Sequence, residues 1–91
     1  MEVKQAVAIA KNYVGEIFAG ESLTNVGLEE VEFDEMRGAW EITVGFSRPW
    51  DAKLPWVSPA LQADKSRSYK VVRISDSDGR VLSIKNREVH A

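Results

Sequence analysis

The chain has no cysteine and a single histidine, His90, among its 91 residues. Disulfides and thiolate zinc sites are thereby excluded, and imidazole chemistry has only one ring to draw on. Any metal would have to rest on carboxylates. An excess of one charge is also lacking, because twelve basic residues meet fourteen acidic ones for a formal charge of −2. A phosphate backbone calls for a concentrated basic surface, so nucleic acid is not an expected partner. Long apolar runs are missing too. Met1 leads directly into a helix-patterned segment with Glu2 and Lys4, without the pattern of a signal peptide or membrane span, and the expectation is a cytoplasmic domain with no membrane contact.

What is present is ordinary globular composition, 44% apolar and 29% charged, enough to bury one core and too short for a second. Stability should be slender, roughly 5 kcal/mol at the usual per-residue figure, which leaves room for a homodimer as a supplement.

Along the chain, Val3, Ala6, Val7, Ala10, Tyr13, Val14, Ile17 and Phe18 recur at spacings of three and four, predicting an amphipathic helix over 2–19. Gly20 is the expected stop, since glycine takes the left-handed conformation that closes helices. Gly15 costs the helix about 1 kcal/mol relative to alanine and is read as a point of close packing. Strands are predicted over about 28–34, 39–47, 68–75 and 80–87, the second being the cleanest, with Trp40, Ile42, Val44 and Phe46 on one side. A turn centred between Met36 and Arg37 sets Phe33 opposite Trp40 and Val31 opposite Ile42.

The second hairpin turns around Ser77, Asp78 and Gly79. A three-residue loop with left-handed Gly79 and a bulge sets Ile74 opposite Leu82 and Val72 opposite Ile84, whereas a two-residue turn would mix the faces. The fold expected is α+β: an N-terminal helix on a four-stranded antiparallel meander, with Phe33, Trp40, Ile42, Val72, Ile74, Leu82 and Ile84 toward the helix. The other face carries Glu30, Glu32 and Glu41 on the first hairpin and Arg73, Lys85 and Arg87 on the second, so opposite charges can meet across it.

The three prolines all fall between the hairpins, in the nineteen-residue stretch 48–66 with Trp50 and Trp56. Loops of this length inside compact domains are often functional. Tryptophan and arginine are the residue types most enriched at binding hot spots, and proline reduces the entropy lost on docking. The candidate partner-binding residues are therefore Arg48, Pro49, Trp50, Asp51, Pro55 and Trp56, against the blander possibility that a tryptophan folds back on the sheet or helix end. Ser58 and Pro59 suit the start of a short helical turn.

The remaining clusters read as structural. Within the acidic cluster Glu29, Glu30, Glu32, Asp34 and Glu35, alternation places Glu30, Glu32 and Asp34 on one solvated strand face without a second cluster to converge on, so neither metal binding nor paired acid/base work is expected. Asp76, Asp78 and Gly79 start like a calcium loop, but its twelfth position falls on Arg87 instead of a bidentate glutamate. No nucleophile has a general base near it in sequence.

The order of a helix ending in glycine, a strand, Gly38-Ala-Trp-Glu-Ile-Thr-Val, Tyr69-Lys-Val-Val-Arg-Ile and Asp76-Ser-Asp-Gly-Arg-Val-Leu-Ser-Ile resembles PepSY-like domains. That resemblance implies a helix followed by an antiparallel meander and a role in binding or restraining peptidases, typically outside the cytoplasm. Unlike those domains, the chain carries a long Pro/Trp stretch in place of a short turn.

The function expected is a non-enzymatic protein-interaction module without cofactor, acting as adaptor, inhibitor or immunity-type partner. The alternative is a small-ligand or minor enzymatic domain with a pocket between helix and sheet.

Overall fold

The computed structural model describes residues 1–48 and 67–87. They form helix α1 (Val3–Ile17), a 3-10 turn (Ala19–Glu21) and strands β1 (Thr24–Asp34), β2 (Ala39–Ser47), β3 (Arg67–Ser75) and β4 (Val81–Asn86). The strands pair in chain order as one antiparallel sheet, and α1 packs across β1, β2 and β3 on one face of it. This is the predicted α+β arrangement. None of the described helices is long and apolar enough to cross a membrane.

Helix α1 starts where the Gln5 side chain reaches back to accept the Glu2 backbone N–H at 2.8 Å, occupying a donor that the first turn leaves without an intrahelical partner. Its buried face is built from small residues. Ala6, Ala10 and Val14 are fully buried, which brings the helix close to Ile42, Val44, Phe46, Val72 and Ile74, all equally inaccessible. Removing each of the larger side chains from water is worth about 1.5–3 kcal/mol. Val7, Ile9, Tyr13, Phe18, Val31, Trp40, Val81 and Ile84 pack around that centre.

The helix departs from its expected bounds at both ends. Val3 and Ile17 share the apolar stripe but remain exposed, because the first and last turns extend past the sheet's cover. Gly20 does not close the helix. It lies within the 3-10 turn, and the left-handed residue is Ser22, with φ 50°. Gly15 marks no close packing either, since a Cβ there would meet nothing within 4 Å.

The first hairpin takes the predicted register, with Phe33 opposite Trp40 and Val31 opposite Ile42. Its turn leaves Gly38 left-handed at φ 59°, and the Asp34 carboxylate accepts the Arg37 N–H at 3.3 Å. Strand β1 begins earlier than expected, at Thr24, because two irregularities let it continue past Leu28.

The second hairpin differs from expectation in one register position. Gly79 is left-handed at φ 72° and Val72 faces Ile84, as predicted, but Ile74 lies opposite Val81 rather than Leu82. The loop holds four residues, closed by Gly79 N–H to Ser75 O and Ser75 N–H to Arg80 O, both 2.9 Å. The bulge therefore falls at Leu82, between Val81 and Ser83, and not at Gly79. Val81 turns inward against the core, and Leu82 is left 45% exposed.

Candidate functional site

With α1 over one face and the strands ordered β1 to β4, the described residues leave two places for a partner: the open face of the sheet and its outer strands. The open face is dominated by ion pairs. The Arg73 guanidinium lies 2.8 Å from Asp34 and 3.6 Å from Glu41, joining β1, β2 and β3, while Arg87 reaches Glu30 at 3.8 Å. Thr43, between these pairs in the register, is almost fully buried. The charges expected to meet across the sheet do so, and they occupy one another. Partial desolvation raises the Asp34 pKa, but the Arg37 N–H and the Arg73 guanidinium outweigh it and hold the carboxyl below its ordinary value of 3.8.

A second polar cluster ties the turns to the helix. The Asp76 carboxylate accepts the Trp40 indole N–H at 2.9 Å and lies 3.3 Å from the N-terminal ammonium, while its own N–H donates to Gly38 O at 2.9 Å. The Trp40 hydrogen bond, with the ammonium, lowers the Asp76 pKa against a desolvation that raises it. Asp78 is lowered chiefly by the Arg80 N–H it accepts at 3.0 Å. The Asp76 carboxylate joins the two hairpins, while Asp78 closes its own turn. Among the described residues, no three His, Cys, Asp or Glu side chains stand where they could share a metal ion.

Of the predicted partner-binding residues, only Arg48 is described; Pro49, Trp50, Asp51, Pro55 and Trp56 lie outside the described residues, as does the helical turn expected at Ser58 and Pro59. Arg48 is engaged within the fold. Its guanidinium donates to Glu21 at 3.2 Å and to Ser68 at 3.0 Å and lies 5.6 Å from the Phe46 ring centre, so it joins the end of the helix to β2 and β3.

Strand β1 offers the other surface. Among the described residues it pairs with β2 alone, so its far side is an edge of the described sheet. Edges of this kind present unpaired backbone donors and acceptors, and proteins usually guard them. Three apolar side chains of β1 remain open: Val26 at 36%, Leu28 at 45% and Phe33 at 39% exposure. Phe33 faces the helix side as expected but lies beyond the helix's cover, its ring tilted against Trp40 at 4.8 Å. The far strand is guarded, since β4 carries Lys85, is flanked by Arg80 and Arg87, and has the bulge at Leu82.

The β1 edge was readable only in part. The register that pairs Phe33 with Trp40 also sets Glu32 opposite Glu41, two like charges facing each other, and that follows from the sequence once the turn is placed. The exposure of Val26 and Leu28 depends on how far the helix reaches. No protein-family model, curated protein or solved structure matches this chain.

Proposed function

We propose that this domain is a non-enzymatic protein-binding module that takes an extended segment of its partner onto the edge of β1. The observation that carries this reading is the row Val26, Leu28 and Phe33, apolar and accessible beside an edge strand. Strand addition draws affinity from main-chain hydrogen bonds and specificity from alternate side chains, and Val26, Leu28 and Phe33 are the side chains that would be read here. The Pro/Trp stretch is the second contact in this proposal, with Pro49, Trp50, Asp51, Pro55 and Trp56 following Arg48, which anchors the end of β2. Between helix and sheet, fully buried apolar side chains meet directly, so no specific observation favours a pocket there.

Affinity capture with paired variants tests the reading. Leu28→Asp should lose the bound partner while leaving the circular dichroism spectrum unchanged, and Leu82→Asp, an equally exposed leucine on β4, should retain it. Retention by Leu28→Asp would remove β1 as the contact. Trp50→Ala with Trp56→Ala measures the second contact: a folded double variant that keeps the partner would confine binding to the edge.

A further inference from the structure

Among the described residues of the open face, Glu32 stands outside the charge network. It is exposed and faces Glu41 across the β1–β2 pair, and the cation of that neighbourhood, Arg73, lies on Asp34 and Glu41. No cation among the described residues comes within ion-pair distance of Glu32. Like charges directly opposite on neighbouring strands destabilise a sheet, so the free domain carries an unfavourable term at its open edge. Resting on the edge-binding reading above, we infer that the partner supplies the missing cation: a separate protein whose extended segment alternates basic with apolar side chains.

The alternation follows from strand geometry. Successive side chains of an added strand point to opposite faces, so basic residues fall beside Glu32 on the open face while apolar ones fall beside Val31 and Phe33 on the helix side. The sheet already contains one such neighbour. Strand β3 brings Arg73 to the acidic hairpin's open face while its Val72 and Ile74 enter the core.

A second copy of this chain fits less well. Pairing β1 with β1 would set Glu30 and Glu32 against their own kind. Pairing β1 with β4 would meet the bulge at Leu82 and produce a head-to-tail contact instead of a self-complementary one.

The test uses an acetylated, amidated peptide of four Lys-Val repeats, the same peptide with glutamate for lysine, and the full chain labelled for amide NMR. At low salt the lysine peptide should shift the β1 amides, and its affinity should fall by about fivefold to tenfold in Glu32→Lys and decline further with added salt. Glu32→Lys should at the same time raise the melting temperature, since lysine opposite Glu41 replaces repulsion with attraction. That gain separates lost binding from lost fold. Equal shifts from both peptides would overturn the basic-partner inference while leaving edge binding in place, and no shift of β1 by either would overturn both. Concentration-dependent association seen by sedimentation and competed by the lysine peptide would assign the edge to a second copy and overturn the proposal.

Discussion

The two hairpins share a turn plan and diverge in what their turns touch. Each closes on four residues with a left-handed glycine at the end, Gly38 in the first and Gly79 in the second. A Cβ on Gly38 would meet nothing, whereas one on Gly79 would come within 3.0 Å of Met1 Cε and 3.3 Å of Ile9 Cδ1. The second hairpin is thus packed under the start of the helix, and the first runs out to the edge of the described sheet. Their charges diverge as well. Residues 24–47 hold six acidic side chains and one basic, and residues 67–87 hold six basic and two acidic. Local turn chemistry is therefore the same in both, and coupling to the helix is what separates a scaffold hairpin from one with a surface to spare.

The largest expected effect comes from truncating the covered side of that comparison. Ile74→Ala in β3 removes a fully buried side chain and should cost about 2–5 kcal/mol, enough to unfold much of a domain this small. Phe33→Ala, on the open hairpin, should cost less than that, because Phe33 is already 39% exposed; its ring contact with Trp40 accounts for about 0.5–1.5 kcal/mol of the loss. Urea denaturation compares them directly. Similar losses would mean that the β1 edge is as much a part of the core as β3.

Next come the glycines themselves. Gly38→Ala should cost about 1 kcal/mol for the left-handed backbone alone, and Gly79→Ala roughly 2 kcal/mol, because Met1 and Ile9 must also give way. Equal costs would show that the second turn yields freely beneath the helix.

The smallest effect expected per group is acid sensitivity. Asp34, Asp76 and Asp78 have folded pKa values below 3.8, so the folded state resists protonation that the unfolded chain accepts. Their stabilisation is complete above the unfolded value and is lost as pH falls through the lower folded values, so the urea midpoint should drop below about pH 4. Two of the three lie in the second hairpin. Asp76→Asn with Asp78→Asn should therefore flatten the acid limb more than Asp34→Asn does, and the reverse order would place the acid-sensitive contacts at the open hairpin.

The helix, the four strands and the first register were legible because each rests on local periodicity. Alternation in Ala39–Ser47, with the turn at Met36 and Arg37, forces Phe33 onto Trp40, since a slip by one residue would turn the whole apolar set outward. The second register was not legible to the last step. Val81 and Leu82 are both apolar neighbours, so hydrophobic pattern cannot choose between them, and the choice accompanies a four-residue loop closed on Ser75. Of the surface expected to bind, Arg48 became a brace, because its partners Glu21 and Ser68 are brought together only when the helix end meets the sheet. The β1 edge stayed hidden for a related reason: exposure of Val26 and Leu28 depends on the reach of an element earlier in the chain.

By itself, then, the sequence determined the element order, the antiparallel meander and the charge carried by each hairpin, because side-chain period and turn residues act over a few positions. The tertiary structure decided which apolar residues are covered, which of Val81 and Leu82 turns inward, and which acids Arg73 pairs with. Those outcomes depend on where one helix of fifteen residues ends over a sheet wider than itself.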